Sequence, residues 1–212
     1  MEWHQVQCDS THEQWQKGRN SQGSALIGSK WIFFGGANEY EGPMDDFLWF
    51  DLDTKVWHDI NANGNSKPCA REIHTLCSDT EKECVYLLGG IKHDGEVCQD
   101  FWIFDLATDS WTELDTQPPS PRCAHTTVLI QSRSIDAIGG WDGKGIIFDD
   151  CISYDMESGN WTTTSINEEQ GHAGFSSRFA HCSCRLSNGN VLIMGGVNAE
   201  SNFTNVCIVE RN

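Results

Sequence analysis

Arginine and histidine recur three residues apart at three places in this chain: Arg71 and His74, Arg122 and His125, Arg178 and His181. Three imidazoles at equivalent positions of a repeat could ring a central channel and hold a metal ion. The recurrence itself argues the other way. A feature copied into every unit of a repeat protein belongs to the framework those units share, because a reactive site is built once. The pairs are therefore read as scaffold, bonding backbone and side chains between strands. An earlier copy keeps Arg19 but has Gln22-Gly23 where the histidine would fall. No Gly-x-Ser-x-Gly elbow, phosphate loop or complete EF-hand loop is present. The reading is of a non-catalytic chain with no cofactor and no metal site.

The elements around these pairs carry a second recurrence. A double glycine closes an apolar run, an Asp follows fifteen residues past the second glycine, and a Trp stands six further on. The copies are Gly35-Gly36, Asp51, Trp57; Gly89-Gly90, Asp105, Trp111; and Gly139-Gly140, Asp155, Trp161. A fourth opens at Gly195-Gly196 and has no Trp after it. A period near fifty residues signals a repeat architecture. The runs into the glycines, such as Trp31-Ile32-Phe33-Phe34 and Val85-Tyr86-Leu87-Leu88, are too short for helices and rich in β-formers. A second run begins near Phe47, Phe101 and Cys151, and the Asp that ends it can bond its own backbone to start a turn. The Trp opens a further strand and can bury its ring between neighbouring sheets. Glycine is required where one backbone passes close to another.

Each unit thus reads as four antiparallel strands, and the chain as an all-β propeller of four four-stranded blades. The blades are assigned to about 19–60, 71–114, 122–164, and 178–212 with 1–6, within one domain spanning 1–212. The last assignment has a reason. The fourth copy lacks its outer strand, and Trp3-His4-Gln5-Val6 matches Trp57-His58-Asp59-Ile60 in pattern. The N-terminal strand is expected to complete the last blade and close the ring.

The 212 residues carry a net charge of −17. Such a chain is repelled by phosphate backbones and anionic lipid, which argues against nucleic-acid binding and membrane docking and favours a partner with a basic surface. No charged-then-apolar leader opens the sequence, and no run is apolar for long enough to cross a bilayer. The expectation is a cytoplasmic protein whose ten cysteines are reduced core thiols. Cys151 and Cys207 are taken to fill the repeat position of Phe47 and Phe101, as small buried hydrophobes. The Cys182-x-Cys184 pair is too tight for a zinc knuckle. The sequons at Asn160 and Asn202 are read as chance matches.

Arg-x-x-His, a double glycine, a spaced Asp and a Trp six later resemble the kelch repeat, over nearly the whole chain. The resemblance implies a β-propeller that binds proteins. The ends, near Trp3 and from Gly195-Gly196 to Cys207-Ile208-Val209, are similar to those of the Rab-effector kelch subgroup. That likeness implies an effector of a small GTPase in vesicle trafficking, at vesicle or endosome surfaces. Many kelch proteins serve as substrate-recognition subunits of ubiquitin ligases, which is the alternative role. A metal-dependent kelch enzyme is the alternative of another class. The iron-using specifier proteins of the family have Glu-xxx-Asp-xxx-His/Cys spacing; here Glu41-xxx-Asp45 leads to Trp49 and Glu96-xxx-Asp100 to Phe104. The copper oxidases need a Tyr–Cys crosslink, and the only tyrosines are Tyr40, Tyr86 and Tyr154.

What differs between blades carries the functional expectation. The loops 37–46, 91–100, 141–150 and 197–206 lie on one face of such a fold. They hold eleven acidic residues and two lysines. Asp46, Asp100 and Asp150 share one repeat position and read as framework. The partner-binding candidates are Tyr40, Glu41, His93, Asp94, Trp141, Lys144, Phe148 and Phe203, aromatics amid charge as at interaction surfaces.

Overall fold

A computed structural model describes residues 2–3, 6, 18–64, 66–166 and 175–210. Four antiparallel sheets follow one another along the chain. Blade 1 is β1 (Gly23–Ile27), β2 (Lys30–Phe34), β5 (Phe47–Asp51) and β6 (Trp57–Asp59), with a small hairpin of β3 (Ala37–Asn38) and β4 (Gly42–Pro43) above it. Blade 2 is β7 (Thr75–Asp79), β8 (Cys84–Leu88), β9 (Phe101–Asp105) and β10 (Ser110–Glu113). Blade 3 is β11 (Thr126–Ile130), β12 (Ser134–Ile138), β13 (Asp150–Asp155) and β14 (Trp161–Ser165). Blade 4 is β15 (Phe179–Arg185), β16 (Val191–Val197) and β17 (Val206–Val209). The fold is an all-β propeller of four blades.

The strands run without alternation because both sheet faces are covered. Alternate residues of each blade enter different joints. Between blades 1 and 2, Phe34 and Phe47 meet Phe104 and Trp111, with ring centroids 4.6 to 5.7 Å apart across the joint. Between blades 2 and 3, Phe101 lies 5.0 Å from Tyr154 and 5.2 Å from Trp161. Between blades 3 and 4 the filling is mostly aliphatic: Val128, Ile138, Cys151, Ile166, Val191, Ile193 and Cys207, with the one ring of Phe175. The recurring Trp thus packs toward the preceding blade. Trp57, in blade 1, packs on Phe33 and Phe50 of its own sheet.

The recurring Asp builds the turn after the third strand. Asp51 Oδ1 accepts the N–H groups of Asp53 and Thr54, and Asp105 those of Ala107 and Thr108. Asp155 Oδ1 accepts the N–H and O–H of Ser158. Backbone bonds hold the Asp51 and Asp155 carboxyls below the usual range.

Two expectations need correction. Cys207 is not at the position of Phe47, Phe101 and Cys151. The fourth loop is one residue shorter, so Asn205 aligns with Asp46, Asp100 and Asp150, and Val206 pairs with Met194 as Phe101 pairs with Leu88. Nor are the cysteines all core thiols: Cys77, Cys84, Cys98, Cys123, Cys151 and Cys207 are buried, while Cys69, Cys182 and Cys184 are exposed. Closure by Trp3-His4-Gln5-Val6 falls partly outside the described residues. Among the described residues the fourth sheet has three strands, and Trp3 is 91 % exposed. No described helix is long and apolar enough to cross a membrane.

Candidate protein-interaction face

The loop face rests on a set of ties repeated in each blade. Arg71 donates to Gly89 O at 3.1 Å and forms a two-pronged pair with Asp100, both contacts 2.6 Å. Arg122 repeats this with Gly139 O and Asp150, and Arg19 with Gly35 O and Asp46. In blade 4 the anion is replaced: Arg178 donates to Gly195 O and to Asn205 Oδ1. Arg71, Arg122 and Arg178 are fully buried. Burial disfavours charge on Arg71 and Asp100, yet their pairing wins: the guanidinium is held above its usual range and the carboxyl below it. Each tie fixes the loop that runs from the double glycine to the third strand.

The histidines do a separate job. His74 Nε2 accepts the Gly23 N–H at 3.2 Å. His125 Nε2 lies 3.0 Å from Thr75 Oγ1, and His181 Nε2 3.0 Å from Thr126 Oγ1. Arginine therefore ties within a blade, and histidine binds the blade before it. Among the described residues, no group of three or more His, Cys, Asp or Glu side chains is placed to hold a metal ion.

The double glycines sit where the spacing put them. Gly35, Gly89 and Gly139 have φ of 61°, 65° and 59°. A Cβ there would stand 2.5, 2.1 and 2.7 Å from the carbonyl oxygens of Arg71, Arg122 and Arg178 in the next blade. One element was not legible in the sequence. Ile73, Ala124 and Ala180 also have positive φ, and each N–H reaches back to the preceding blade at 2.8 Å: Ile73 to Ser21 O, Ala124 to Ile73 O, Ala180 to Ala124 O. A β-branched residue in this conformation is strained, and nothing in its type announces it.

On this base the loops form one ridge. In loop 37–46, Asn38 Oδ1 accepts the N–H groups of Tyr40 and Glu41, which turns Tyr40 to the tip. Tyr40 is 88 % exposed, between exposed Glu39 and Glu41. A hollow of about 730 Å³ lies beside it, lined by Arg19, Asn20, Asn38 and those three residues. His93 packs on Gly42, so close that a Cβ there would lie 2.7 Å from Nδ1. Val97 packs on Gly143 in the same way. Loops one, two and three therefore touch in sequence, with His93 against Gly42, the residue after Glu41, while Asp94 Oδ1 accepts the Glu96 N–H in the exposed turn of loop two. Lys144 is exposed on the third loop, whose turn is held by Asp142 Oδ1 accepting from the Lys144 and Ile146 N–H groups.

Three candidates stand elsewhere. Phe148 lies half-buried under the Arg122 guanidinium at 4.3 Å, and Phe203 under that of Arg178 at 4.1 Å. Trp141 is half-buried, 6.2 Å from the Phe179 ring. These rings tuck beneath the rim. Sequence reasoning missed Ile146, which is 60 % exposed on the same loop. Of the specifier-type carboxylates, Asp100 is tied to buried Arg71, while Asp45 pairs with Lys67 at 2.6 Å and Glu96 with Lys92 at 2.7 Å on the surface.

Comparison with known proteins places these features. The kelch domain-containing protein 1 of Mus musculus is 35 % identical over 124 residues, covering 58 % of this chain and 30 % of that protein. An acyl-CoA-binding domain-containing protein 5 of Arabidopsis thaliana is 33 % identical over 130 residues, 59 % of this chain and 19 % of its own length. The kelch domain-containing protein 10 of Rattus norvegicus is 26 % identical over 185 residues, 83 % of this chain and 42 % of its own. The chain thus aligns to less than half the length of these relatives. A family model described as the KLHDC2/KLHL20/DRC7 Kelch-repeats domain matches residues 1–209, and the chain belongs to that kelch-repeat family.

Proposed function

We propose that this kelch propeller is a non-catalytic scaffold that binds another protein through the ridge formed by its first three loops. The observation that carries this is Tyr40, held at a loop tip by Asn38 and flanked by Glu39 and Glu41, with His93 of the next loop packed on Gly42 two residues along. An exposed aromatic within a charged rim is the composition of a binding hot spot. The acidic flanks select a partner surface rich in lysine or arginine. The partner class we infer is a small GTPase or its vesicle-associated machinery, supported by the likeness of the chain ends to the Rab-effector subgroup.

The test is capture of partners from lysate with the wild-type chain and with Tyr40→Ala. A GTPase or vesicle protein retained by the former and lost with the latter is the expected result. Recovery of ligase subunits in place of these would transfer the chain to the ubiquitin-ligase role. Stoichiometric iron or copper in the purified protein would instead support the enzymatic alternative.

A further inference from the structure

In blade 2 two thiols stand beside one buried guanidinium, and the repeat shows what they replace. The residue whose N–H donates to the carbonyl of the second glycine is Met44, Cys98, Phe148 and Phe203 in the four blades, at 2.8 to 2.9 Å. Phe148 and Phe203 lie on the Arg122 and Arg178 guanidiniums. Cys98 holds the same place beside Arg71 and is 4 % exposed. The residue two before the arginine is Cys69, Ser120 and Ser176 in blades 2, 3 and 4. Ser120 Oγ accepts an Arg122 Nη2–H at 2.7 Å, and Cys69 Sγ accepts one from Arg71 at 3.1 Å. Cys69 is exposed. One guanidinium therefore neighbours both a solvent-facing thiol and a buried one.

The electrostatics agree with this placement. Charge on either sulfur would favour the Arg71 cation, and Lys92 feels both sulfurs as well. Burial pushes the Cys98 thiol up to about 12; Arg71 and Lys92 oppose that rise, while Asp100 and Cys69 add to it. The two sulfurs are thus near enough to act on each other. Other buried thiols have different surroundings. Burial pushes Cys77 and Cys123 to about 12, and acidic groups near each add to the rise. An accessible thiol among cations is the kind that oxidants reach, and a second thiol beside it can resolve the product.

We propose that Cys69 and Cys98 are a reversible redox pair, joined as a disulfide by a hydroperoxide and separated again by a small thiol. Cys69 attacks one peroxide oxygen. The O–O bond breaks, the other oxygen leaves with the thiol proton as an alcohol or water, and Cys69 becomes a sulfenic acid. The Cys98 sulfur then attacks the Cys69 sulfur. The S–O bond breaks, and the hydroxyl leaves with the Cys98 proton as water. Two electrons pass from the two sulfurs to the peroxide. Reversal takes two small thiols: the first opens the disulfide to a mixed one, and the second frees the cysteine and leaves as a small disulfide. Burial keeps Cys98 from reacting with solutes itself, so Cys69 acts first. The bond ties the segment entering blade 2 to the end of the second ridge loop, and it does not depend on which partner the ridge binds.

The test treats the folded, reduced wild-type chain with an equimolar amount of hydrogen peroxide. Remaining thiols are blocked with N-ethylmaleimide, and the digest is read by mass spectrometry. The expected product is a Cys69–Cys98 cross-linked peptide, two hydrogens lighter than its parts, which dithiothreitol returns to two thiols. Cys98→Ala is expected to stop at the sulfenic acid, trapped by dimedone on Cys69. Cys69→Ser, which places the serine of blades 3 and 4 here, is expected to leave Cys98 unmodified. Circular dichroism checks that both variants fold, and the wild-type digest decides the question if either does not. The proposal is overturned if both thiols stay free in the wild type, if Cys69 is oxidised while Cys98 stays free, or if either sulfur bonds to a different cysteine.

Discussion

At the scale of single residues, the repeat phrase divides its work. Arginine ties a loop to its own blade, and histidine ties one blade to another. The histidines are the more exposed to pH. Burial holds His74 at about 3 and His181 at about 4, and lowers His125 well below the ordinary value of about 6.5. Protonated His74 could not accept the Gly23 N–H. The unfolded chain therefore binds more protons than the folded one between these values. Stability is full above about pH 6.5 and falls as the pH drops toward the folded-state values. The carboxyls held low, Asp51, Asp100, Asp142 and Asp155, act at still lower pH. Between pH 6 and 5 the histidines thus govern the slope, each adding up to about 1.4 kcal/mol per pH unit. Urea titrations of wild type and His125→Gln across that interval measure it. The variant is expected to lose one histidine's share, and an unchanged slope would contradict the assignment.

At the scale of elements, the sequence was legible wherever a residue type has a steric consequence. Glycine at a close approach, Asp at a turn and Trp in a joint each mark a geometry that few other residues satisfy. The strands around them followed. Geometry that is indifferent to residue type did not show: the left-handed Ile73, Ala124 and Ala180, the shortened fourth loop that moved Cys207 by one position, and the guanidiniums that draw Phe148 and Phe203 inward. Each depends on a neighbour distant in sequence. The double glycines also provide an element-scale test. Gly89→Ala combines a left-handed φ with a Cβ 2.1 Å from Arg122 O, whereas Gly195→Ala carries the φ alone. The Gly195 change is expected to cost about 1–2 kcal/mol and the Gly89 change about 3–4. Equal losses in denaturant unfolding would mean that the close carbonyl at Gly89 adds nothing to the cost of the left-handed φ.

At the scale of the whole molecule, charge sets how a partner arrives and the Tyr40 tip sets how it stays. The chain's net charge of −17 produces a long-range field, and Glu39, Glu41 and Asp94 concentrate it on the ridge. Interactions among exposed charges are screened over about 8 Å at physiological salt, so a basic partner feels this field during approach more than after contact. Association should therefore depend on salt and dissociation should not. Neutralising the tip with Glu39→Gln/Glu41→Gln is expected to slow association several-fold at low salt and to leave the dissociation rate nearly unchanged. Tyr40→Ala is expected to do the reverse, because a buried anchor acts after encounter and its loss appears in the off-rate. Surface-based kinetics with the captured partner, run at two salt concentrations, separate the two. If the Glu variants dissociate faster while Tyr40→Ala changes nothing, the ridge is not the contact surface and binding lies elsewhere on the propeller.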